Sequence, residues 1–404
     1  MQLDKNVELK VKQTLGESLK TIFKDNVRQY TMLIALVVII VLFQILTKGI
    51  LLVPMNVTNL ILQNSYVFIL SIGMTLCIVS SGNIDLSVGS IVAFIGALAG
   101  ILIINNKMAL FPAILICLAV GLLIGIWQGF WIAYIRIPAF IVTLSGMLLF
   151  RGLTVKMLQG LTLSPFPKSF QAISGGFFPD IFKNSNINIT TIIVGILVSI
   201  IYVYIEFKNR AEREKYNFDV LPLPLCIAKI ILIVSATMLV TYWLAVYKGI
   251  PIMFAIIGIL VFLYTIITSK TIPGRYLYAM GGNEKSAKLS GINTNKVLFL
   301  VYVNMAVLSA IAAISFTSRL NAASPQSGLN FELDAIAACY IGGASAYGGI
   351  GTVIGAIVGA LVMGVLNNGM SILGVGSDMQ MAIKGLVLLL AVAFDVFSKR
   401  KAKI

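Results

Sequence analysis

Apolar runs alternate with short polar segments along the whole chain. The runs fall at 31–47, 58–79, 86–104, 111–134, 138–158, 189–205, 224–247, 250–268, 297–316, 333–346, 351–371 and 379–397. An apolar helix of ~20 residues spans ~30 Å of hydrocarbon, so the pattern predicts an all-α polytopic membrane protein with about twelve spans. The tenth run is short and polar at its edges. If it fails to cross, the count falls and the C-terminus changes side. Leu3, Val7, Val11, Leu15, Leu19 and Ile22 recur about every four positions, which predicts an amphipathic helix lying on the inner face within the N-terminal segment 1–30. The membrane-spanning domain is 31–397, with a basic tail at 398–404. No small-residue cleavage site follows the first run, so it is expected to stay as an anchor.

Composition removes whole classes of function. Hydrophobic residues make up 59% of the chain and charged residues 11%, with a mean hydropathy of +0.98. A soluble protein carries about 25% charged residues, so a soluble enzyme is excluded. The net charge of +15 would suit nucleic acid, but its placement does not. Segments predicted inside hold 20 Lys and Arg, those outside hold six, and four lie within runs. That is the asymmetry of a membrane protein with both ends inside and no nucleic-acid partner. Histidine is absent, which removes imidazole catalysis, imidazole metal sites and proton relays. Cys77, Cys117, Cys226 and Cys339 lie in or beside apolar runs without C-x-x-C spacing and read as packing residues. Neither a phosphate-binding G-x-x-x-x-G-K-[ST] loop nor a G-x-S-x-G elbow is present.

Two polar interruptions carry the first mechanistic signals. In the run from Ser80 to Ser90, Gly82 suits a tight reversal, and Asp85 or Ser87 suits the cap of a new helix. The second runs from Ser327 through Glu332 and Asp334 to Ala344. Asp85-Leu86-Ser87 to Gly96-Ala97 has the spacing of Glu332-Leu333-Asp334 to Gly343-Ala344, and the two would start on opposite sides. That is the pattern of an inverted repeat. Gly351, Gly355 and Gly359 form a four-residue stripe on which another helix can approach closely.

The inner loop 269–296 carries a third signal. Asn283 suits an N-cap, Glu284 a first turn, Lys285 and Lys288 the end, and Gly291 the stop. A short surface helix of about two turns follows, flanked by Met280, Leu289 and Ile292 and fit to lie in a groove of a soluble partner. The outer loop 159–188 is long and rich in Pro, Gly and Phe, and 206–220 is highly charged.

The stretches SGNIDLSVGS at 81–90, PGRYLYAMGGNEKSAKLSGI at 273–292, ELDAIAA at 332–338 and LNNGM at 366–370 resemble the permease subunits of bacterial ABC monosaccharide importers. The resemblance implies a type II importer fold in the bacterial inner membrane, with both termini cytoplasmic. It also implies a permease homodimer, a separate cytoplasmic ATPase that holds ATP and Mg, an extracytoplasmic sugar-binding protein and a monosaccharide as cargo. No cofactor is expected in this chain. The family's coupling contact maps onto Gly281, Gly282, Asn283, Glu284, Ser290 and Gly291. An extra helical pair within 189–268 makes the chain similar to the longer xylose or multiple-monosaccharide subgroup. Gln63, Asn64, Tyr66, Asn304, Asn367 and Asn368 then become candidates for the sugar pathway, and Gly82, Asp85, Ser87, Glu332 and Asp334 for helix breaks beside it. The alternative is an ATP-independent facilitator or secondary transporter. Acidic residues keep to span edges or breaks in this layout, which speaks against its proton-coupled form.

Overall fold

The computed structural model describes residues 27–182, 187–216, 218, 220 and 222–402. The expected amphipathic helix over residues 3–22 and the last two residues of the basic tail lie outside the described residues. Among the described residues, sixteen α-helices follow in order. They are α1 (Val27–Leu46), α2 (Pro54–Gln63), α3 (Ser65–Ser81), α4 (Val88–Gly100), α5 (Leu110–Ala133), α6 (Ala139–Leu158), α7 (Lys168–Gly175) and α8 (Ile189–Lys215). Then come α9 (Leu223–Tyr247), α10 (Ile252–Lys270), α11 (Ile272–Gly282), α12 (Glu284–Leu289), α13 (Thr294–Leu320), α14 (Phe331–Ile341), α15 (Val353–Ile372) and α16 (Ser377–Ala402). A π-helical turn, Ile101–Asn105, prolongs α4.

Among the described residues, eight helices are long and apolar enough to cross a membrane. The pair α2–α3, bent by 44° at Asn64, makes a ninth. The remaining expected crossings map to α1, α14 and α16. The tenth run differs from expectation. Its helix, α14, has 11 residues, about 17 Å at 1.5 Å per residue, which is too short to cross alone. The stretch 321–330 folds back into the interior and completes the passage, so the last helix keeps its direction.

α3 is the centre of the molecule. Every residue from Ser65 to Ser80 is buried, because α13, α14 and α15 pack around it. Small residues set these close approaches. A methyl group on Gly121 of α5 would stand 2.6 Å from Ala310 Cβ of α13, and one on Gly125 would stand 2.7 Å from Val303 Cα. The predicted glycine stripe packs against α14: a Cβ on Gly355 would meet the Gly342 carbonyl at 2.3 Å, and one on Gly359 the Ala338 carbonyl at 1.9 Å. Gly351 leaves the stripe, because it lies in the loop before α15. Within 189–268, α8 and α9 pack on each other at the edge, Gly195 against Thr241. α10 joins the main core through Met253, Ile257 and Tyr264. All four cysteines are free and buried.

The contacts define two faces. The lower face gathers the end of α3 at Gly82, the start of α12, the loop 343–352 and Asp395 of α16: the Gly349 N–H donates to Val79 O at 2.8 Å, and the Ala346 N–H to Asp395 Oδ2 at 3.3 Å. The upper face gathers α7 and the segments before α8 and after α13, joined where Leu163 pairs with Ala323 and Phe177 with Pro251. α1 begins, and α16 ends, toward the lower face.

Candidate functional site

The two interrupted crossings meet inside the fold. α3 ends at Gly82, whose φ of +69° is the left-handed conformation that glycine adopts without strain. The chain then turns back along α3, so that the Asp85 N–H faces Met74 Sδ at 3.5 Å. Met74 lies seven residues before the end of α3, about 10 Å up the helix. From there α4 starts and runs to the upper face. The second interruption enters from above. Its Gly328 carbonyl would lie 2.2 Å from a Cβ on Gly89, and the Gly89 carbonyl 2.0 Å from one on Gly328, so the two backbones touch. α14 then runs to the lower face.

α4 and α14 run in opposite directions from the point where Gly89 meets Gly328. The register differs. Asp85 precedes α4, whereas Glu332 and Asp334 lie in the first turn of α14. The expected capping also differs. Ser87 occupies the N-cap position of α4 without a side-chain capping bond. Asp85 Oδ1 instead accepts from the Ser87 N–H at 2.8 Å and the Ser87 hydroxyl at 2.6 Å. Gln128 of α5 donates from Nε2 to Ser87 Oγ at 2.8 Å. Asp85, Ser87 and Gln128 are all fully buried.

The second interruption is pinned by charge. Arg151 of α6 donates to the carbonyls of Pro325 at 2.9 Å and Ser327 at 2.7 Å. These oxygens need such donors, because no water reaches them in hydrocarbon. Lys384 of α16 pairs with Asp334 at 3.0 Å, and the Tyr66 hydroxyl donates to Asp334 Oδ2 at 2.7 Å. The Tyr66 ring stacks on Phe331 at 3.6 Å. Glu332 is half-buried beside Gly89, its Oε2 2.6 Å from where a Cβ would sit. Asp85 and Asp334 are therefore interior carboxylates, not residues at span edges. Both lie at breaks, as expected, but these breaks fold inward and carry them into the interior.

The candidate pathway residues separate into three groups. Gln63, Asn64, Asn367 and Asn368 form an amide network between α2–α3 and α15. Asn368 Nδ2 donates to Gln63 Oε1 at 3.1 Å, Asn367 Nδ2 to Asn64 Oδ1 at 3.3 Å, and Asn56 Nδ2 to Asn368 Oδ1 at 2.8 Å. Tyr66 belongs to the Asp334 cluster. Asn304 ties α13 to α10 by accepting from the Tyr264 hydroxyl.

On the lower face the capped helix forms. Asn283 Oδ1 accepts from the Ser286 N–H at 3.0 Å, Glu284 opens α12 and Lys288 lies in its last turn. Gly291 takes a φ of +84° at the stop, and the Ile292 N–H returns to Ala287 O at 3.1 Å. The Ser290 hydroxyl closes on Ser286 O at 3.0 Å. α12 has six residues rather than two full turns, and a second helix, α11, carries it. Ala287 is buried, whereas Leu289 is 90% exposed. A groove of about 280 Å³, lined by Lys288, Gly291, Ile292, Asn293, Thr294 and Asn295, lies alongside. Gly282 is exposed, and a Cβ there would meet nothing within 4 Å, but Gly281 is a mounting point. A Cβ there would overlap Val79 O at 1.8 Å, so α11 rests directly on the end of α3.

A family model described as "Branched-chain amino acid transport system / permease component" matches residues 56–392. The chain belongs to this permease family. The permease is 40% identical over 376 residues to the xylose transport system permease protein XylH of Haemophilus influenzae, covering 93% of this chain and 98% of the relative. It is 36% identical to XylH of Escherichia coli strain K12, covering 93% and 94%. The ribose import permease protein RbsC of that strain is 35% identical, covering 90% and 92%. No solved structure matches the permease. Sequence reasoning passed over Gln128, Arg151 and Lys384 as site residues. The last two had a signal: each is a cation inside an apolar run.

Proposed function

We propose that this permease is the membrane subunit of an ATP-driven importer for a monosaccharide of the xylose or ribose kind. The observation that carries the proposal is the 35–40% identity to pentose permeases over at least 90% of both chains. Two copies form the pathway. A separate cytoplasmic ABC ATPase holds ATP and Mg, and an extracytoplasmic binding protein delivers the sugar. The excess of Lys and Arg on the lower-face segments makes that face cytoplasmic and the membrane the bacterial inner membrane.

The coupling contact is the exposed surface of α12, with Leu289 as its apolar knob. Asn283, Glu284, Ser290 and Gly291 shape this helix. Gly281 supports it against Val79 of α3, three residues before Gly82, where the first interruption begins. Movement of α12 thereby reaches the point where the two half-helices touch. The amide network and the Tyr66–Asp334 cluster tie the helices whose separation opens the pathway, and they hold the sugar only weakly.

The interior carboxylates favour one rival reading, a proton-coupled carrier without an ATPase. A complex purified with its ATPase and binding protein separates these readings and also tests the cargo. ATP hydrolysis is expected to rise with xylose or ribose and stay flat with leucine. Stimulation by leucine alone would point to an amino-acid permease, and no stimulation by any cargo would refute the ATP-driven reading.

A further inference from the structure

α12 is held by a second support besides α11. Arg136 sits in the turn between α5 and α6 with a φ of +64°, a conformation that costs a non-glycine residue energy unless its surroundings fix it. They do. Nη1 donates to Glu284 Oε1 at 2.7 Å. Nη2 donates to Thr294 Oγ1 at 3.3 Å and also to Asn295 Oδ1. One planar fork thus grips the first residue of α12 and the first two of α13, a geometry that lysine cannot reproduce. Arg136 and Glu284 remain 42% and 45% exposed, so the pair contributes little to static stability. Its value lies in geometry.

Behind Arg136 stands α5. Gln128 lies five residues before α5 ends at Ala133, about 8 Å up the helix from the turn that holds Arg136, and its amide reaches Ser87 and so Asp85. Both Gln128 Oε1 and Asp85 Oδ2 are buried without a hydrogen-bond partner among the described residues, so this junction has spare bonding capacity that a small shift of α5 can use. α5 also packs on α13 through Gly121, Gly125 and Gly129, which makes the two helices one stiff unit.

We infer that Arg136 is a positioning residue that couples α12 to α5, and through Gln128 to the first interruption. The inference rests on the reading of α12 as the ATPase contact. It adds a route from that contact to the interior, separate from the one through Gly281.

The test uses the full complex in proteoliposomes and measures sugar transported per ATP hydrolysed. Arg136→Ala is expected to lower this ratio about tenfold, the scale of one charge-assisted hydrogen bond, with assembly and thermal midpoint unchanged. Arg136→Lys, which keeps the ion pair but loses the fork, is expected to fall between. Arg136→Glu combined with Glu284→Arg is expected to recover part of the loss seen with Arg136→Glu alone. A Leu289→Cys chain reports docking, since the four native cysteines are buried, and it is expected to cross-link to the ATPase with or without Arg136. An unchanged ratio in Arg136→Ala, with cross-linking intact, overturns the inference and leaves the coupling reading standing. A lower ratio accompanied by loss of assembly or of thermal midpoint also overturns it, because Arg136 is then only structural. Failure of Leu289→Cys to cross-link in the otherwise native chain removes the coupling reading, and the inference with it.

Discussion

The two interrupted crossings have one geometry and two chemistries. Around residues 82–88, the polar groups are satisfied by a chain of neighbouring dipoles: Gln128 donates to Ser87, and Ser87 donates to Asp85. Around residues 321–334, cations do the work, with Arg151 on two carbonyls and Lys384 on Asp334. The first carboxylate has no ion-pair partner among the described residues, and the second has one at 3.0 Å. A half-helix can thus be fixed in the interior either by a soft, rearrangeable network or by a stiff ionic clasp. The soft one adjoins the turn that α11 touches, beside α12. The stiff one faces α16, away from it. If the permease moves at one interruption, this asymmetry points to the first, with the second as its anchor.

Breaking the clasp has the largest expected effect. Asp334→Asn or Lys384→Met leaves one buried charge alone, at a cost of about 3–5 kcal/mol, seen as a large fall in thermal midpoint in detergent. The double variant is expected to recover most of that loss. Next comes the contact itself. Gly89→Ala pushes a methyl group into the Gly328 carbonyl and is expected to cost about 1–3 kcal/mol, with sugar uptake falling further than the thermal midpoint alone explains. Tyr66→Phe removes one hydrogen bond to Asp334 but keeps the stack on Phe331, for a loss of about 1 kcal/mol. Asp85→Asn has the smallest expected effect, under about 1 kcal/mol, because an amide oxygen still accepts from Ser87. The same Asp→Asn change at the two interruptions is the sharpest form of the comparison. Equal losses would show that both are clasps, or neither.

Much of this was legible in the sequence. The long helices follow directly from apolar length, and the capped helix was readable from Asn283, Glu284, Lys288 and Gly291, since capping is a local property of a few residues. The polar residues at 80–90 and 327–334 marked where helices break. They did not reveal that the broken segments fold inward, because burial of Asp85 and Asp334 depends on partners 43 to 50 positions away or more, at Gln128 and Lys384. Local pattern placed α14 two residues late and offered Ser87 and Asp85 as caps. Tertiary contact won in both cases: Phe331 starts its helix against Tyr66, and Asp85 turns to Ser87. The role of Gly281 was equally hidden. A glycine in a charged loop looks free to meet a partner, yet the end of α3 already occupies the space a side chain would need.

The account stands on energy entering from a separate ATPase through α12. Accumulation of radiolabelled xylose in proteoliposomes tests this most directly, comparing vesicles that hold the permease alone with vesicles that also hold its ATPase, ATP and the binding protein. The account predicts concentration of the sugar above the external level only in the complete set, abolished when ATP is replaced by a non-hydrolysable analogue. Equal accumulation by the permease alone, driven by a proton gradient, would contradict it.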